Sequence, residues 1–191
     1  MIMMNMFDRI KDILEANPCA VIAIDGMCAS GKTTFASRLS EKFGFQTVHT
    51  DDFFLPFDMR TQERLSQPGG NIHRERLIDE VIIPLKEKRD AEYRVFDCSS
   101  GTYTEKRTVF YGRPVIIEGA YSLHPEIPDI YDLKIFFCVS PETQLERIKK
   151  RNGTEALEVF KEKWIPFENR YFKEFGIFQK CDIILTEEDL K

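Results

Sequence analysis

The run Gly26-Met27-Cys28-Ala29-Ser30-Gly31-Lys32-Thr33 meets every fixed position of the pattern G-x-x-x-x-G-K-[ST], and residues of these types at this spacing hold phosphate. Glycines let the backbone curl until successive N–H groups converge on phosphate oxygens. Lys32 is the charge expected to reach the β- and γ-phosphates, and the Thr33 hydroxyl the group expected on Mg²⁺. Gly26, Ala29, Ser30, Gly31, Lys32, Thr33 and Thr34 are therefore the candidate nucleotide contacts, with ATP and Mg²⁺ as cofactors. The context supports the pattern. An apolar run, Ala20 to Ile24, precedes it and an amphipathic stretch from Lys32 to about Phe43 follows, so the loop should open a helix whose N-terminus adds to the anion site.

A phosphate loop alone does not separate a kinase from a GTPase or ATPase, so the carboxylates and cations elsewhere must decide. Asp51 and Asp52 end the segment after the loop's helix. A carboxylate there can accept the proton of an attacking hydroxyl or hold Mg²⁺; the alternative is a solvated acidic turn or a helix cap. Glu118 ends the apolar run Val115-Ile116-Ile117 and precedes Gly119, which suits a metal-side carboxylate, or else an exposed strand-end glutamate. Gln144, Arg147 and Arg151 share one helix face beside Lys150; such a face can clamp phosphates or is simply solvated. Cys28 could have its thiol activated by the helix terminus or be a small residue that fits. Trp164 reads as a core or helix contact. No Asn-Lys-x-Asp guanine motif is present.

These groups need a scaffold. Residues from about Asn5 to Ala16 place Met6, Ile10, Ile13 and Leu14 on one helical face, and Asn17-Pro18 ends it. Strands are expected at Ala20–Ile24, Phe45–Thr50, Val115–Gly119, Leu133–Val139 and Asp182–Leu185; runs without alternation suit a parallel sheet buried on both faces. Phe53 to Gly70 reads as a long loop with room for a short helix, and Asn71 to Lys88 as a helix that Pro84 kinks or shortens. Tyr93–Phe96 and Thr108–Tyr111 suggest a hairpin insertion. Helices are expected over Pro141 to about Asn152 and Glu155 to Phe175. The whole reads as one domain over residues 1–191, an α/β/α sandwich with ligands at the strands' carboxyl ends.

The 191 residues carry 27 basic and 32 acidic side chains, a net charge of −5, with no basic run of nucleic-acid type. Five cysteines without metal or C-x-x-C spacing suggest a reducing compartment. Charged residues from Asp8 onward exclude a signal-type or membrane-spanning segment of roughly 20 apolar residues. The expectation is a cytoplasmic protein acting on a small molecule, with neither nucleic acid nor membrane as partner; self-association is left open.

Taken together, the motifs resemble the uridine kinase and phosphoribulokinase-like branch of P-loop kinases, with nicotinamide riboside kinase a close cousin. The resemblance runs from about Cys19 to Thr186. Asp51-Asp52-Phe53-Phe54 is similar to that family's Asp-x-Phe-Tyr, Glu118-Gly119 to its strand-end Glu-Gly, Asp132-Leu133-Lys134-Ile135-Phe136 to the strand before its arginine helix, and Cys181-Asp182-Ile183-Ile184 to its closing strand. It implies a five-stranded, mainly parallel sheet of order 2-3-1-4-5, Asp51 as the hydroxyl-activating base and Arg147 and Arg151 as lid-side arginines. It further implies Thr33, Asp51 and Glu118 around Mg²⁺, and Asp52, Phe54, His73, Arg74, Phe96, Asp97 and Tyr121 around the acceptor. The resemblance also implies an acceptor side at about 51–111 and a lid at about 141–175. Three stretches depart from the pattern: Asn71-Ile72-His73-Arg74-Glu75 replaces Asn-Phe-Asp-His-Pro, Phe96-Asp97-Cys98 lacks the following base-reading histidine, and Asn152-Gly153-Thr154-Glu155 replaces a second arginine cluster. The implied activity is phosphoryl transfer from ATP to a hydroxyl of a small metabolite. The alternatives are a kinase for an anionic acceptor, attracted by His73 and some of Arg60, Arg64, Arg74 and Arg76, or a regulatory ATP-binding module.

Overall fold

A computed structural model describes residues 2–189, with side chains described from Met6 onward; Met1 and residues 190–191 of the expected domain lie outside it. Five parallel strands form the central sheet: β1 (Val21–Gly26), β2 (Gln46–His49), β5 (Val115–Glu118), β6 (Leu133–Phe137) and β7 (Ile183–Leu185). Between β2 and β5, β3 (Ala91–Asp97) and β4 (Thr102–Val109) form a separate antiparallel hairpin. The sheet order is β2-β5-β1-β6-β7, which is the expected 2-3-1-4-5 when its strands are counted alone.

Alternate residues of the buried strands feed two cores. Ile22, Ile24, Ile116, Ile135 and Phe137 pack with Met6 and Ile10 of α1 (Ile2–Ala16) and with Phe35 and Leu39 of α2 (Lys32–Phe43). Val21, Ala23, Val48, Ile117 and Phe136 face the other way, onto Leu77, Val81, Tyr171, Phe172 and Ile177. A strand buried on both faces has no polar side to show, which is why these runs lack alternation. The result is the three-layer sandwich.

The second face is covered by α4 (Arg74–Leu77) and α5 (Ile83–Lys86), and by α7 (Ile165–Glu174) and α8 (Ile177–Lys180). The expected kink at Pro84 takes a specific form: a wide turn of π type, Ile78–Ile82, joins α4 to α5, with Ile83 N–H donating to the Ile78 carbonyl. The same device recurs at Phe160–Trp164, between α6 (Pro141–Val159) and α7, just before Pro166. A proline ring collides with the carbonyl four residues back, and a wider turn moves that carbonyl aside. The expected break after Asn152 is present as non-helical Gly153 within α6.

One expectation on the acceptor side is corrected. The second hairpin strand is Thr102–Val109, so Phe110 and Tyr111 lie beyond it, where the Gln46 side chain instead pairs with the Phe110 backbone. The 53–70 stretch is the long loop with a short helix that the sequence allows: it holds a 3₁₀ turn at Phe57–Met59 and the short helix α3 (Gln62–Leu65), and Phe54 bridges Ile72.

The turn that leaves β5 is packed tightly against the end of β2. Gly119, just past β5, has φ +131°, and a Cβ there would lie 2.0 Å from Thr50 Oγ1, the hydroxyl that donates to the Ala120 carbonyl at 2.9 Å. Gly119→Ala should therefore push Thr50, and Asp51 with it, out of place. A loss of about 2 kcal/mol or more, or ~4–8 °C in thermal midpoint, is expected along with reduced turnover; an unchanged midpoint in thermal denaturation would contradict the packing described.

Candidate active site

β1, β2 and β5 all end at one edge of the sheet, and a cavity of about 670 Å³ opens there. Its phosphate-side wall runs from Cys28 to Phe35 and includes Ala29, Ser30, Gly31, Lys32, Thr33 and Thr34. Gly26 begins the loop outside that wall at φ +136°, where a Cβ would come within 2.3 Å of the Phe137 carbonyl oxygen; only glycine fits this close passage of β1 to β6. Lys32 is buried, its Nζ donating to the carbonyls of Gly26 at 2.8 Å and Met27 at 2.7 Å.

Two side chains of α6 hold the loop. Gln144 Nε2 donates to the Cys28 carbonyl at 3.0 Å, and Arg147 Nη1 to those of Ala29 and Ser30 at 3.1 and 3.2 Å. In a trans peptide the N–H points opposite to the carbonyl, so holding the carbonyls of Cys28, Ala29 and Ser30 also fixes the direction of the N–H groups of Ala29, Ser30 and Gly31. Ser30 N–H spends itself partly on the Met27 carbonyl, at 3.3 Å. Arg147 thus secures the loop as well as lining the cavity, while Arg151 lines it with Nε bonded to the Asn152 side chain at 2.7 Å.

Glu118 is buried and bridges two neighbours: Thr33 Oγ1 donates to its Oε1 at 3.2 Å, and His49 Nδ1 lies 2.7 Å from its Oε2. That hydrogen bond raises the His49 pKa above its ordinary value. Asp51 is open to the cavity but ringed by protein. Its carboxyl is raised, first by that enclosure and then by the Glu118 charge, with Lys32 and His49 opposing. Thr33, Asp51 and Glu118 form an all-oxygen donor set suited to Mg²⁺. Among the described residues no group of three or more His, Cys, Asp or Glu is arranged to hold a metal, and Mg²⁺ bound through one or two carboxylates plus nucleotide phosphates requires no such cage.

The sequence model of the phosphoribulokinase/uridine kinase family matches residues 21–156, well over half of the chain. The chain belongs to that family. Among curated proteins, the cytidylate kinase of Methanopyrus kandleri is 27% identical over 139 residues, covering 72% of this chain and 65%, just under two thirds, of its own length. Among solved structures, a possible uridine kinase from Bacillus stearothermophilus superposes with a TM-score of 0.63 at 21% identity over 95% of this chain and 99% of that one. The phosphoribulokinase of Rhodobacter spheroides gives a TM-score of 0.54 at 15% identity, over 87% and 69% of the two chains. At these identities the two structures share the fold.

Against this family background, the acceptor-side residues divide. Phe54 and Tyr121 line the cavity. Asp52 does not: it is buried against the hairpin, accepting from Tyr93 Oη at 3.1 Å and Arg107 Nη1 at 2.8 Å, its carboxyl raised by burial against the pull of Arg107. His73 stands at the start of α4 without a side-chain capping hydrogen bond, its Nδ1 is buried without a hydrogen-bond partner, and burial lowers its pKa. Arg74 pairs with Glu126 at 2.7 Å. Phe96 packs on Phe57 and Tyr103, and the exposed Asp97 accepts from Ser99 and Ser100 to close the hairpin turn. None of these five lines the cavity. Asp52, Arg74, Phe96 and Asp97 are committed to pairing or stacking with other parts of the protein, and the family pattern in sequence does not reveal it.

Other residues take the places at the wall. Arg60, Asn71 and Cys98 line it, as do Phe160 and Trp164; Trp164 is thus more than the helix contact its surroundings in sequence suggest, with its ring 6.2 Å from that of Phe54. The wide turn before Pro166 carries both Phe160 and Trp164, a placement the periodicity of a regular helix conceals. Cys28 is not an activated thiol, since burial and the neighbouring Glu168 push it up to about 12. Asp25, fully buried, accepts from Gly26 N–H, Leu123 N–H and Tyr171 Oη at 2.7, 3.0 and 2.8 Å, tying the base of the loop to α7.

Proposed function

We propose that this kinase-family chain transfers the γ-phosphoryl group of Mg-ATP to a hydroxyl of a small, nucleoside-like acceptor, with Asp51 taking the hydroxyl proton. The observation that carries the reading is that Asp51 shares one cavity with the phosphate loop, Lys32, Thr33 and Glu118. Bound Mg-ATP would supply the transferred group and the charge that polarises it. The chain's part is positioning and charge stabilisation: N–H groups of the loop and Lys32 would bind phosphate oxygens, Thr33 and Glu118 would hold the metal, and Asp51 would orient and deprotonate the acceptor. Phe54, Tyr121, Phe160 and Trp164 give the acceptor's ring apolar walls. Purified protein should be screened with ATP against nucleosides, nicotinamide riboside, pantothenate, glycerate, pentose phosphates and, given the relative from Methanopyrus kandleri, cytidylate. Phosphorylation of a neutral hydroxylated ring compound is the expected result; nucleotide binding with no acceptor-dependent turnover would favour a regulatory module instead.

A second reading, an anionic acceptor, rests on one of the four arginines the sequence offers, Arg60, and not on His73. Arg64, Arg74 and Arg76 are engaged by Glu75, Glu126 and Glu80, whereas Arg60 lines the cavity, its Nε held by the Leu55 carbonyl at 2.7 Å and its Nη2 3.3 Å from Cys98 Sγ. If the acceptor carries a carboxylate or phosphate, Arg60→Gln should raise its KM about tenfold or more and leave a neutral acceptor's KM within about twofold. Equal effects on both in steady-state kinetics would remove this reading.

A further inference from the structure

Glu168, on α7, lies beside the phosphate loop with a role that neither fold nor family pattern assigns. It is buried and lines the cavity. Its Oε2 accepts the backbone N–H of Cys28 at 2.8 Å, and no Lys, Arg or His forms an ion pair with it among the described residues. A buried carboxyl without a paired cation is costly to keep, and an apolar side chain would anchor α7 more cheaply. Three residues further along, Tyr171 faces the same way and bonds Asp25 at the loop's base. From α6, Gln144 holds the carbonyl of the residue whose N–H Glu168 holds. The loop's third residue is therefore gripped at both its N–H and its C=O by the lid.

We propose that Glu168 is a positioning residue for phosphoryl transfer, fixing the Cys28 backbone from the lid so that the shape of the phosphate loop, and with it the aim of Lys32, depends on this carboxyl. It touches no reacting atom and acts through the loop. The charged and titratable groups around it are Lys32 from α2, Cys28 from the loop, Asp25 from β1 and Tyr121 from the segment after β5. Burial pushes the Glu168 carboxyl up to about 7, against the pull of Lys32. It is ionised above that pH, where its bond to the Cys28 amide is charge-assisted and stronger, and neutral below it. Loop positioning, and turnover with it, should improve as pH rises through neutrality.

The inference rests on the kinase reading, and two measurements keep the two apart. In wild-type protein, the ¹⁵N–¹H resonance of Cys28 should shift with pH, with a midpoint near 7, whether or not an acceptor is known. Glu168→Gln should abolish that titration and, once an acceptor is in hand, lower kcat at least tenfold and remove one ionisation from the pH profile. Its thermal midpoint should stay within a few degrees of wild type. A Cys28 amide that does not move between about pH 6 and 8.5 overturns the inference even if the variant fails to fold. So does a folded Glu168→Gln with wild-type kcat and pH profile. Absence of turnover in the wild type would count against the proposed function alone.

Discussion

Lys32→Ala is expected to lower phosphoryl transfer by about 10²-fold or more, because it removes the cation set at the mouth of the phosphate loop, where charge develops in the transition state. The sequence presents Lys32 as a ligand-facing charge outside the core, which would make the substitution free of structural cost. In the fold it is buried, and its ammonium satisfies the Gly26 and Met27 carbonyls. A modest loss of stability, about 1–3 kcal/mol, should therefore accompany the loss of activity. Turnover and thermal midpoint are to be measured on the same sample. A folded variant that keeps its turnover would remove the loop from the reaction.

Asp51→Asn is expected to keep nucleotide binding and to lose about 10²- to 10⁴-fold in kcat, the usual contribution of a positioned general base. The sign of the pH dependence comes from the environment. The carboxyl is raised by its enclosure and by Glu118, so the basic form is lost on acidification at a higher pH than for an ordinary aspartate, and turnover should fall there. Asn at this position should flatten that limb. Asp52→Asn should act differently: Asp52 braces Tyr93 and Arg107, so the change should lower the thermal midpoint more than kcat. Kinetics and denaturation on both variants test the assignment, and a larger kcat loss at position 52 would reverse it.

The central sheet was legible because most of its strands are apolar runs with a sharp stop, while the more polar edge strand β2 is marked off by Gly44, which ends α2 at Phe43 with its N–H on the Ser40 carbonyl. The phosphate loop was legible because its chemistry is local: eight consecutive residues carry it. The acceptor side was not, because which side chains face a cavity there depends on pairings distant in sequence. Arg74 finds Glu126, Asp52 finds Arg107 across 55 positions, and the Nδ1 of His73 is buried away from the cavity wall. Asn71 stood within a stretch that could be compared with the family pattern, yet nothing in the sequence showed that it, and not His73, would line the wall. Glu168 and Tyr171 carried a weak signal, an i, i+3 polar pair on the face of amphipathic α7 that also buries Phe172.

The most direct test tracks phosphorus. Wild-type protein, Mg²⁺ and ATP are incubated with the acceptor panel, and products are read by ³¹P NMR. The account predicts one new phosphomonoester resonance that grows in step with ADP, appears only with acceptor present, and is absent in Asp51→Asn. ADP accompanied only by inorganic phosphate, or a phosphoanhydride formed on cytidylate with no phosphomonoester from any hydroxyl, would contradict it.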